Sequence, residues 1–448
     1  MKQALIILMI FTYLISVFTG LELVTVILSM LAFITLVFSF IGSNTFSRVI
    51  SSLLLIASIL IAIVYGMDWK TVLYGINQNV PILSLILMAP MIAVPLRLKG
   101  YLASLFNVLK SLSNNTIKAY SGLMAFLFVI SPVFNIGAIR ITHDIISEIG
   151  FSKRFLARAY IPAYTSAIVW SPYFASVATI LYMFEDLSLS DYILIGFPLG
   201  IIQILISILI FYIFRNKSDD EQNFSIEVES QQLKKDWNNI YKVFLSIAAF
   251  IGLIVLIEYI TKGNIITIII LTAIFIPILW GLLTGNIKSV LKEIIRISGT
   301  FPNFKNETIL FLSAGLLASV LSGTTFGGIL TPLLVVISDQ SYVLFVITIL
   351  LLIILLTLIG LHQIIVVPLI IIQVPPELVG IDPLVLSFIF ILGWSISVVT
   401  SPVSLTNLLV SNLLKTRWWE IGFKMNGLYL VILSFVGIIL AIVLNFLV

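Results

Sequence analysis

The chain contains no cysteine and only two histidines among its 448 residues. Without cysteine it can form no disulfide, no thiolate metal site and no cysteine nucleophile, and two histidines are too few for a histidine-rich metal centre. Charged residues are also scarce, at 10% of the chain, whereas a soluble domain carries about 25%. Hydrophobic residues make up 60%, so the composition indicates an integral membrane protein.

Several motifs of enzymes and ATP-driven pumps are missing as well. There is no Gly-x4-Gly-Lys-Ser/Thr phosphate loop, so ATP binding of that type is excluded. There is no His-Glu-x-x-His motif, and the Ser-Pro pairs have no convergent general base, so neither a metalloprotease nor a hydrolase is indicated. The net charge of +4 is modest and predicts no nucleic-acid partner. We therefore expect a protein that is not an enzyme, with no cofactor except possible sodium ions.

Apolar stretches long enough to cross about 30 Å of hydrocarbon recur along the whole chain. Since a spanning segment must satisfy its backbone internally, they predict an all-α polytopic membrane protein with about 11 transmembrane helices. The start of the chain resembles a signal peptide, but no small-x-small cleavage site follows, so a retained first helix is favoured. The spans lie near 4–18, 22–43, 47–66, 72–95, 157–184, 189–214, 243–261, 264–285, 308–335, 382–414 and 420–446.

Two further apolar regions, 119–149 and 341–374, each have a polar break that contains Gly or Pro near the middle. Loop charges place Lys2 and Arg48 on the inside. If 119–149 enters and leaves on one side, the basic cluster after it also lies inside, whereas a full span would invert every later loop. Both regions are therefore predicted to be re-entrant hairpins. The N-terminus then lies inside and the C-terminus outside the cytoplasmic membrane.

The two halves of the chain share landmarks at a nearly constant separation. Loops that follow equivalent elements carry opposite charge, which predicts that the halves are inverted in the membrane. Inverted repeats with broken helices are typical of secondary transporters, whose site lies near the midplane. The landmarks are separated by 229 to 231 residues: Ser131 and Gly360, Ser171 and Ser401 (each the first residue of a Ser-Pro pair), and Gly196 and Gly427.

The domain organisation follows from this repeat. Residues 1–214 form the first repeat, a polar cytoplasmic linker covers 215–242, and residues 243–448 form the second repeat. The linker is expected to be a solvated loop. Within the repeats lie scaffold helices in 1–70, the hairpins 119–149 and 341–374, and the broken helices 157–184 and 382–414.

Four breaks carry the polar side chains that could bind a solute. Proline removes an amide donor and displaces a carbonyl, and freed carbonyls with hydroxyls suit sodium, while half-helix N-termini suit an anion. A simple proline kink is the alternative for any one break, but two symmetry-related pairs favour a binding site. The candidate residues are Ser131, Asn135, Ser171, Ser176, His362, Gln363, Thr400, Ser401, Ser404, Thr406 and Asn407.

Two charged or titratable residues have open roles. Arg140 could reach back toward a bound anion, extend to the cytoplasmic edge, or pair with Asp144 at i, i+4. His362 could carry a proton or bond a substrate, or be a neutral and satisfied histidine. No Asp or Glu lies near the centre of a span, which favours coupling through neutral oxygens over a proton antiporter.

With these breaks, the chain resembles the ion transporter superfamily, which includes divalent-anion:sodium symporters, citrate carriers, arsenite pumps and the membrane subunits of TRAP carriers. The resemblance covers nearly the whole chain and implies that the hairpin tips and unwound segments bind substrate and sodium. It also implies a homodimer in which one part moves against a fixed scaffold. The tips here read Ser-Pro-Val-Phe-Asn and Gly-Leu-His-Gln, where the dicarboxylate branch has Ser-Asn-Thr, which argues against a di- or tricarboxylate.

The sequence thus predicts a secondary active transporter that moves a small anionic solute across the cytoplasmic membrane with sodium or protons. A sodium/proton antiporter is one alternative. A non-transporting membrane subunit of a larger complex is another, and the linker would be its contact. Membrane lipid and the transported solute are the other expected partners.

Overall fold

The computed structural model describes residues 2–112, 115–184, 186–214, 230–322, 324 and 330–448. The described part is almost entirely α-helical and contains no β-strand. Eleven of its helical segments are long and apolar enough to cross a membrane. The prediction of an all-α polytopic membrane protein is confirmed. Residues 215–229 of the predicted linker lie outside the described residues, as do 323 and 325–329 of the predicted span 308–335.

The first twelve helices precede the predicted linker. They are α1 (Lys2–Thr19), α2 (Glu22–Phe40), α3 (Thr45–Val64), α4 (Trp69–Gly75), α5 (Val80–Met88), α6 (Val94–Leu98), α7 (Tyr101–Leu112), α8 (Thr116–Phe134), α9 (Gly137–Ile146), α10 (Lys153–Ile168), α11 (Ala175–Met183) and α12 (Leu189–Phe214).

The remaining eleven helices follow it. They are α13 (Ser230–Thr261), α14 (Ile265–Leu283), α15 (Ile287–Ser298), α16 (Lys305–Ser322), α17 (Thr331–Gln340), α18 (Tyr342–Leu358), α19 (Gln363–Ile372), α20 (Pro376–Val379), α21 (Pro383–Thr400), α22 (Leu405–Leu414) and α23 (Gly427–Leu447).

Polar side chains begin many of these helices by accepting a hydrogen bond from a free amide of the first turn. The predicted edges agree with these caps to within a few residues, and α12 agrees at both ends. The capping residues are Asn44, Asn115, Ser152, Asn264, Ser341, Asp382 and Ser404.

The chain divides into two compact units. Unit 1 comprises Met1–Val94, Gly263–Gln340 and Ile364–Gly380. Its centre is the packing of α3 on α16, around Leu54, Leu310, Ala314, Leu317 and Ile365. The predicted span 72–95 is three short helices, α4 to α6, joined by 3-10 turns at Ile76–Asn79 and Ala89–Ala93. Prolines next to these turns remove amide donors and account for the interruptions.

Unit 2 comprises Pro95–Lys262, Ser341–Gln363 and Ile381–Val448. One three-helix packing occurs in it twice. Helices α8, α10 and α12 pack on one another, and α18, α21 and α23 do the same. In each triplet the first helix leads into a predicted hairpin and the second is the first part of a predicted broken helix. Both units therefore draw residues from both halves of the chain, and the packing supports the repeat.

Part of the predicted linker is helical. Residues 230–242, expected to be a solvated loop, form the beginning of α13, which packs on α7. Asp236 is only 1% exposed there, and its carboxylate accepts hydrogen bonds from Asn107 Nδ2 (2.9 Å) and Gln232 Nε2 (3.1 Å). Amide donors satisfy this buried carboxylate, which the polar composition alone did not indicate.

Two other features differ from the sequence predictions. Helices α7, α15 and α17 were not predicted, and α16 ends at Ser322, well before the expected end of its span. Helix α8 is 19 residues long, which is enough to cross a membrane by length and composition. The re-entrant path of 119–149 therefore stays a prediction, as does that of 341–374.

Candidate functional site

Each of the four predicted breaks is an interruption between two helices. One pair of interruptions separates α8 from α9 and α18 from α19, and the other separates α10 from α11 and α21 from α22. At each break, the last carbonyls of one helix and the first amides of the next are left without intrahelical partners. All twelve candidate residues belong to unit 2, which places the predicted chemistry in one compact unit.

The first hairpin tip is centred on Asn135. This residue has a φ of +50°, a conformation that asparagine adopts more readily than most residues. Its side-chain Oδ1 accepts hydrogen bonds from the amide of Ile136 and from the hydroxyl of Tyr164, each at 2.7 Å. The break was expected at Ser131-Pro132, but both residues lie in the last turn of α8, because the fixed φ of proline is compatible with a helix.

Tyr164 joins this tip to both broken helices. It lies on α10, donates to Asn135, and also forms a side-chain hydrogen bond with Thr406 on α22. Helices α9 and α22 pack together, and α10 packs on α22. Three predicted elements thus meet at one tyrosine. Sequence analysis missed this residue, because nothing in the spacing distinguishes it from an ordinary buried aromatic side chain.

The two broken helices are bridged in equivalent ways. Ser176 Oγ donates to the carbonyl of Ile168 at 2.5 Å, and Asn407 Nδ2 donates to the carbonyl of Val399 at 2.8 Å. In both cases the donor lies eight residues after the acceptor, and the donors are 231 residues apart, as are the acceptors. A side chain at the start of the second half-helix therefore satisfies a carbonyl at the end of the first half-helix.

Several other candidates also have partners within the protein. Ser404 caps α22, and Thr400 donates back to Ile396 O at 3.3 Å, as expected for a structural hydroxyl. Ser401 Oγ donates to Thr357 O at 3.2 Å, which ties the second broken helix to the last turn of α18.

Each of the four breaks also contributes one buried side-chain oxygen that has no hydrogen-bond partner. These atoms are Ser131 Oγ, Ser171 Oγ, Gln363 Oε1 and Asn407 Oδ1, and every one of these residues is at most 5% exposed. Buried polar groups are nearly always satisfied, so an unpartnered one needs a ligand or a water molecule. Their distribution, one at each break, is the feature of the site that points most directly to binding.

The remaining candidates differ in exposure. His362 is buried, whereas Arg140 has an exposed side chain on α9, and Asp144 is exposed as well. Trp170 and Tyr173 flank Ser171 and are buried with polar atoms that have no partner, Nε1 and the hydroxyl. Their position beside a Ser-Pro pair is the signal by which the sequence could have identified them. No group of three potential metal-ligating His, Cys, Asp or Glu residues occurs within the described ranges.

The Ser176 bridge gives a testable prediction for stability. Ser176→Ala leaves the carbonyl of Ile168 buried without its donor, which should lower the free energy of unfolding by about 1–3 kcal/mol. The measurement is thermal unfolding of the purified protein. Ser166→Ala is the matched control, because Ser166 is equally buried but only donates to Ala163 O within its own helix. An equal loss of stability in both variants would contradict the bridging role.

A polytopic helical protein with two equivalent pairs of helix breaks, and with unpartnered buried oxygens at those breaks, has the architecture of a secondary transporter. The family model described as "Tripartite ATP-independent periplasmic transporter, DctM component" matches residues 171–446, and the chain belongs to this family. It is therefore a multi-pass component of a secondary transporter in the cytoplasmic membrane. The absence of a phosphate loop agrees with the ATP independence of the family.

The comparison with solved structures found a transporter. The crystal structure of the Alcanivorax borkumensis YdaH transporter, described as having an unusual topology, matches with a TM-score of 0.45 and 13% sequence identity. The match covers 83% of this chain and 87% of that chain. No curated protein matches the chain. The family thus identifies the chain with one group in the resemblance, the membrane subunits of TRAP carriers, and not with the divalent-anion:sodium symporters.

Proposed function

We propose that the chain is the component that moves the solute, and that it carries a small organic anion together with sodium through unit 2. The observation that supports this proposal is the set of four unpartnered buried oxygens, one at each helix break. Hydroxyl and amide oxygens are suitable ligands for sodium, and a carboxylate in the solute could accept hydrogen bonds from the half-helix N-termini.

The composition of the breaks favours sodium over protons. The segments between the paired helices contain no Asp or Glu. A proton-coupled carrier commonly uses a carboxylate inside the membrane, because such a group can bind and release a proton during transport. Neutral oxygens supply a cation site without that chemistry. A sodium/proton antiporter remains the alternative that the test below distinguishes.

The family description also favours an assembly. A tripartite transporter has three components, so we propose that this chain works with two partner proteins and that the solute reaches it from the periplasmic side. A membrane subunit of a larger complex and a transporting chain are compatible roles. The N-terminus inside, the C-terminus outside and a homodimer remain part of this proposal.

Thermal unfolding of the purified chain against a panel of small organic anions, in sodium or in potassium, tests the proposal. A ligand that binds only the folded state at 100 times its Kd stabilises it by about 2.7 kcal/mol. We expect one class of anion to raise the melting temperature in sodium and not in potassium. Stabilisation by sodium with no anion effect would favour the antiporter. No response to any ligand would contradict a complete site in this chain alone.

A further inference from the structure

Helix α15 has two different faces. On one face, Val290 and Ile297 are buried, and Val290 packs against Gly281 of α14. On the other face, Lys288, Leu291, Lys292 and Ile295 follow one another at i, i+3, i+4 and i+7, the spacing of a single helical stripe. Leu291 is 46% exposed and Ile295 is 67% exposed. Within the described residues, neither Lys288 nor Lys292 has an ion-pair partner.

The position of α15 along the chain places this stripe at a membrane surface. The helix lies between α14 and α16, which are both part of segments apolar enough to span a membrane. Only three residues separate it from α14, and the end of α14 is highly exposed, with Leu283 at 87%. A short helix that connects two spans without crossing the membrane must lie near the interface between hydrocarbon and headgroups.

Hydrogen bonds gather several helix ends around α15. Gln3 at the start of α1 donates to Ser298 at the end of α15, at 3.0 Å. Lys2 donates to the carbonyl of Ile41, just after α2, at 2.8 Å. The amide of Asn44, which caps α3, donates to Asn306 at the start of α16, at 2.9 Å. The ends of five helices therefore form one end of unit 1, which we call the basic end.

Basic residues outnumber acidic ones at the basic end, which the structure describes from Lys2 to Gln3, from Ile41 to Arg48 and from Thr284 to Glu307. Only Glu293 and Glu307 are acidic, and Glu293 is already paired with Arg296. At the opposite end of α2, Glu22 pairs with Lys70, and Asp68 lies nearby in sequence. The basic residues are Lys2, Arg48, Lys288, Lys292, Arg296 and Lys305.

We propose that the basic end of unit 1 binds anionic phospholipids, with the exposed stripe of α15 lying in the headgroup layer. Charge complementarity identifies the occupant. The lysines meet headgroup phosphates, while Leu291 and Ile295 between them contact the upper part of the acyl chains. A soluble phosphate would use only the charges and leave the two apolar side chains in water. This interaction concerns unit 1 and does not depend on the solute site in unit 2.

Titration of the purified, detergent-solubilised chain with phosphatidylglycerol tests the proposal, with the melting temperature as readout. Phosphatidylglycerol should raise the melting temperature, whereas phosphatidylcholine and inorganic phosphate should have little effect. Each lysine near an anionic surface contributes about 1 kcal/mol, which corresponds to about a five-fold change in affinity. Lys288→Gln combined with Lys292→Gln should therefore weaken the apparent affinity for phosphatidylglycerol by about 20- to 30-fold.

Two further variants serve as controls. Lys234→Gln with Lys235→Gln removes the same charge from an exposed site on α13 and should leave the lipid response unchanged. Lys288→Arg with Lys292→Arg keeps the charge and should keep the affinity. An equal response to phosphatidylcholine, or an unchanged response in the Lys288 and Lys292 glutamine variant, would overturn the proposal. The latter result would assign the stripe to a protein partner.

Discussion

Asn407→Ala is expected to reduce sodium-dependent uptake by about 10- to 100-fold, since a hydrogen bond to a charged group contributes about 1.5–3 kcal/mol. Two atoms of this side chain have different tasks. Its Nδ2 satisfies the carbonyl of Val399 across the break, and its Oδ1 is buried without a partner. Under the proposed function, Oδ1 is free to bind the transported ion or solute, and alanine removes it together with the bridge.

Comparison with Ser176→Ala separates these two tasks. Ser176 forms the equivalent bridge in the other broken helix, so its loss measures the structural effect of an unbridged break. Uptake into proteoliposomes and thermal unfolding should be measured for both variants and for Ser411→Ala. Ser411 lies one turn further along α22 and is also buried with an unpartnered hydroxyl.

We expect Ser411→Ala to transport normally and Asn407→Ala to lose sodium-dependent anion stabilisation as well as uptake. Wild-type uptake in Asn407→Ala would remove this residue from the site. Equal losses of uptake and of melting temperature in Asn407→Ala and Ser176→Ala would mean that only the bridge matters.

The positions of the breaks could be predicted from the sequence because proline and glycine act locally. Ser171-Pro172 and Ser401-Pro402 disrupt a helix wherever it packs, and the structure interrupts the helices there. The partners of the break residues could not be predicted in the same way. Tyr164 meets Asn135 and Thr406 only because three separate helices pack together, and no short-range pattern in the sequence encodes that contact.

Composition was also an incomplete guide for charged residues. The polar segment before 243 was expected to be solvated, yet Asp236 is buried because two amide side chains lie within hydrogen-bonding distance. Conversely, Arg140 is close in sequence to the first hairpin tip but has an exposed side chain on the outgoing helix. In both cases the helix face on which the residue lies determines its burial, and this face depends on tertiary packing.

One landmark of the repeat was assigned to the wrong glycine. Gly196 was matched to Gly427 by separation, but a Cβ at Gly427 would meet nothing within 4 Å. A Cβ at Gly196 would lie 2.7 Å from the carbonyl oxygen of Val169, and one at Gly422 would lie 2.6 Å from that of Val399. Val169 and Val399 are 230 residues apart, so Gly422 is the packing counterpart. The sequence separation misses it because Gly422 lies in a π-helix, Glu420–Met425.

Gly422→Ala is therefore expected to destabilise the protein, whereas Gly427→Ala is not. The added methyl group of Gly422→Ala would collide with the backbone of Val399, and overpacking of this kind typically costs about 1–3 kcal/mol. Gly427 begins α23 in open space, and alanine in place of glycine in a helix is favourable by up to about 1 kcal/mol. The two variants add the same methyl group five residues apart and should shift the melting temperature in opposite directions.

Uptake measurements on the same pair connect packing with function. The carbonyl of Val399 that Gly422 accommodates is the one that Asn407 bridges, so a displacement of this backbone also moves Asn407. Gly422→Ala should consequently weaken sodium-dependent uptake, and Gly427→Ala should leave it intact. Normal uptake and stability in Gly422→Ala would mean that the break tolerates backbone movement. The close contact would then have no part in holding the site.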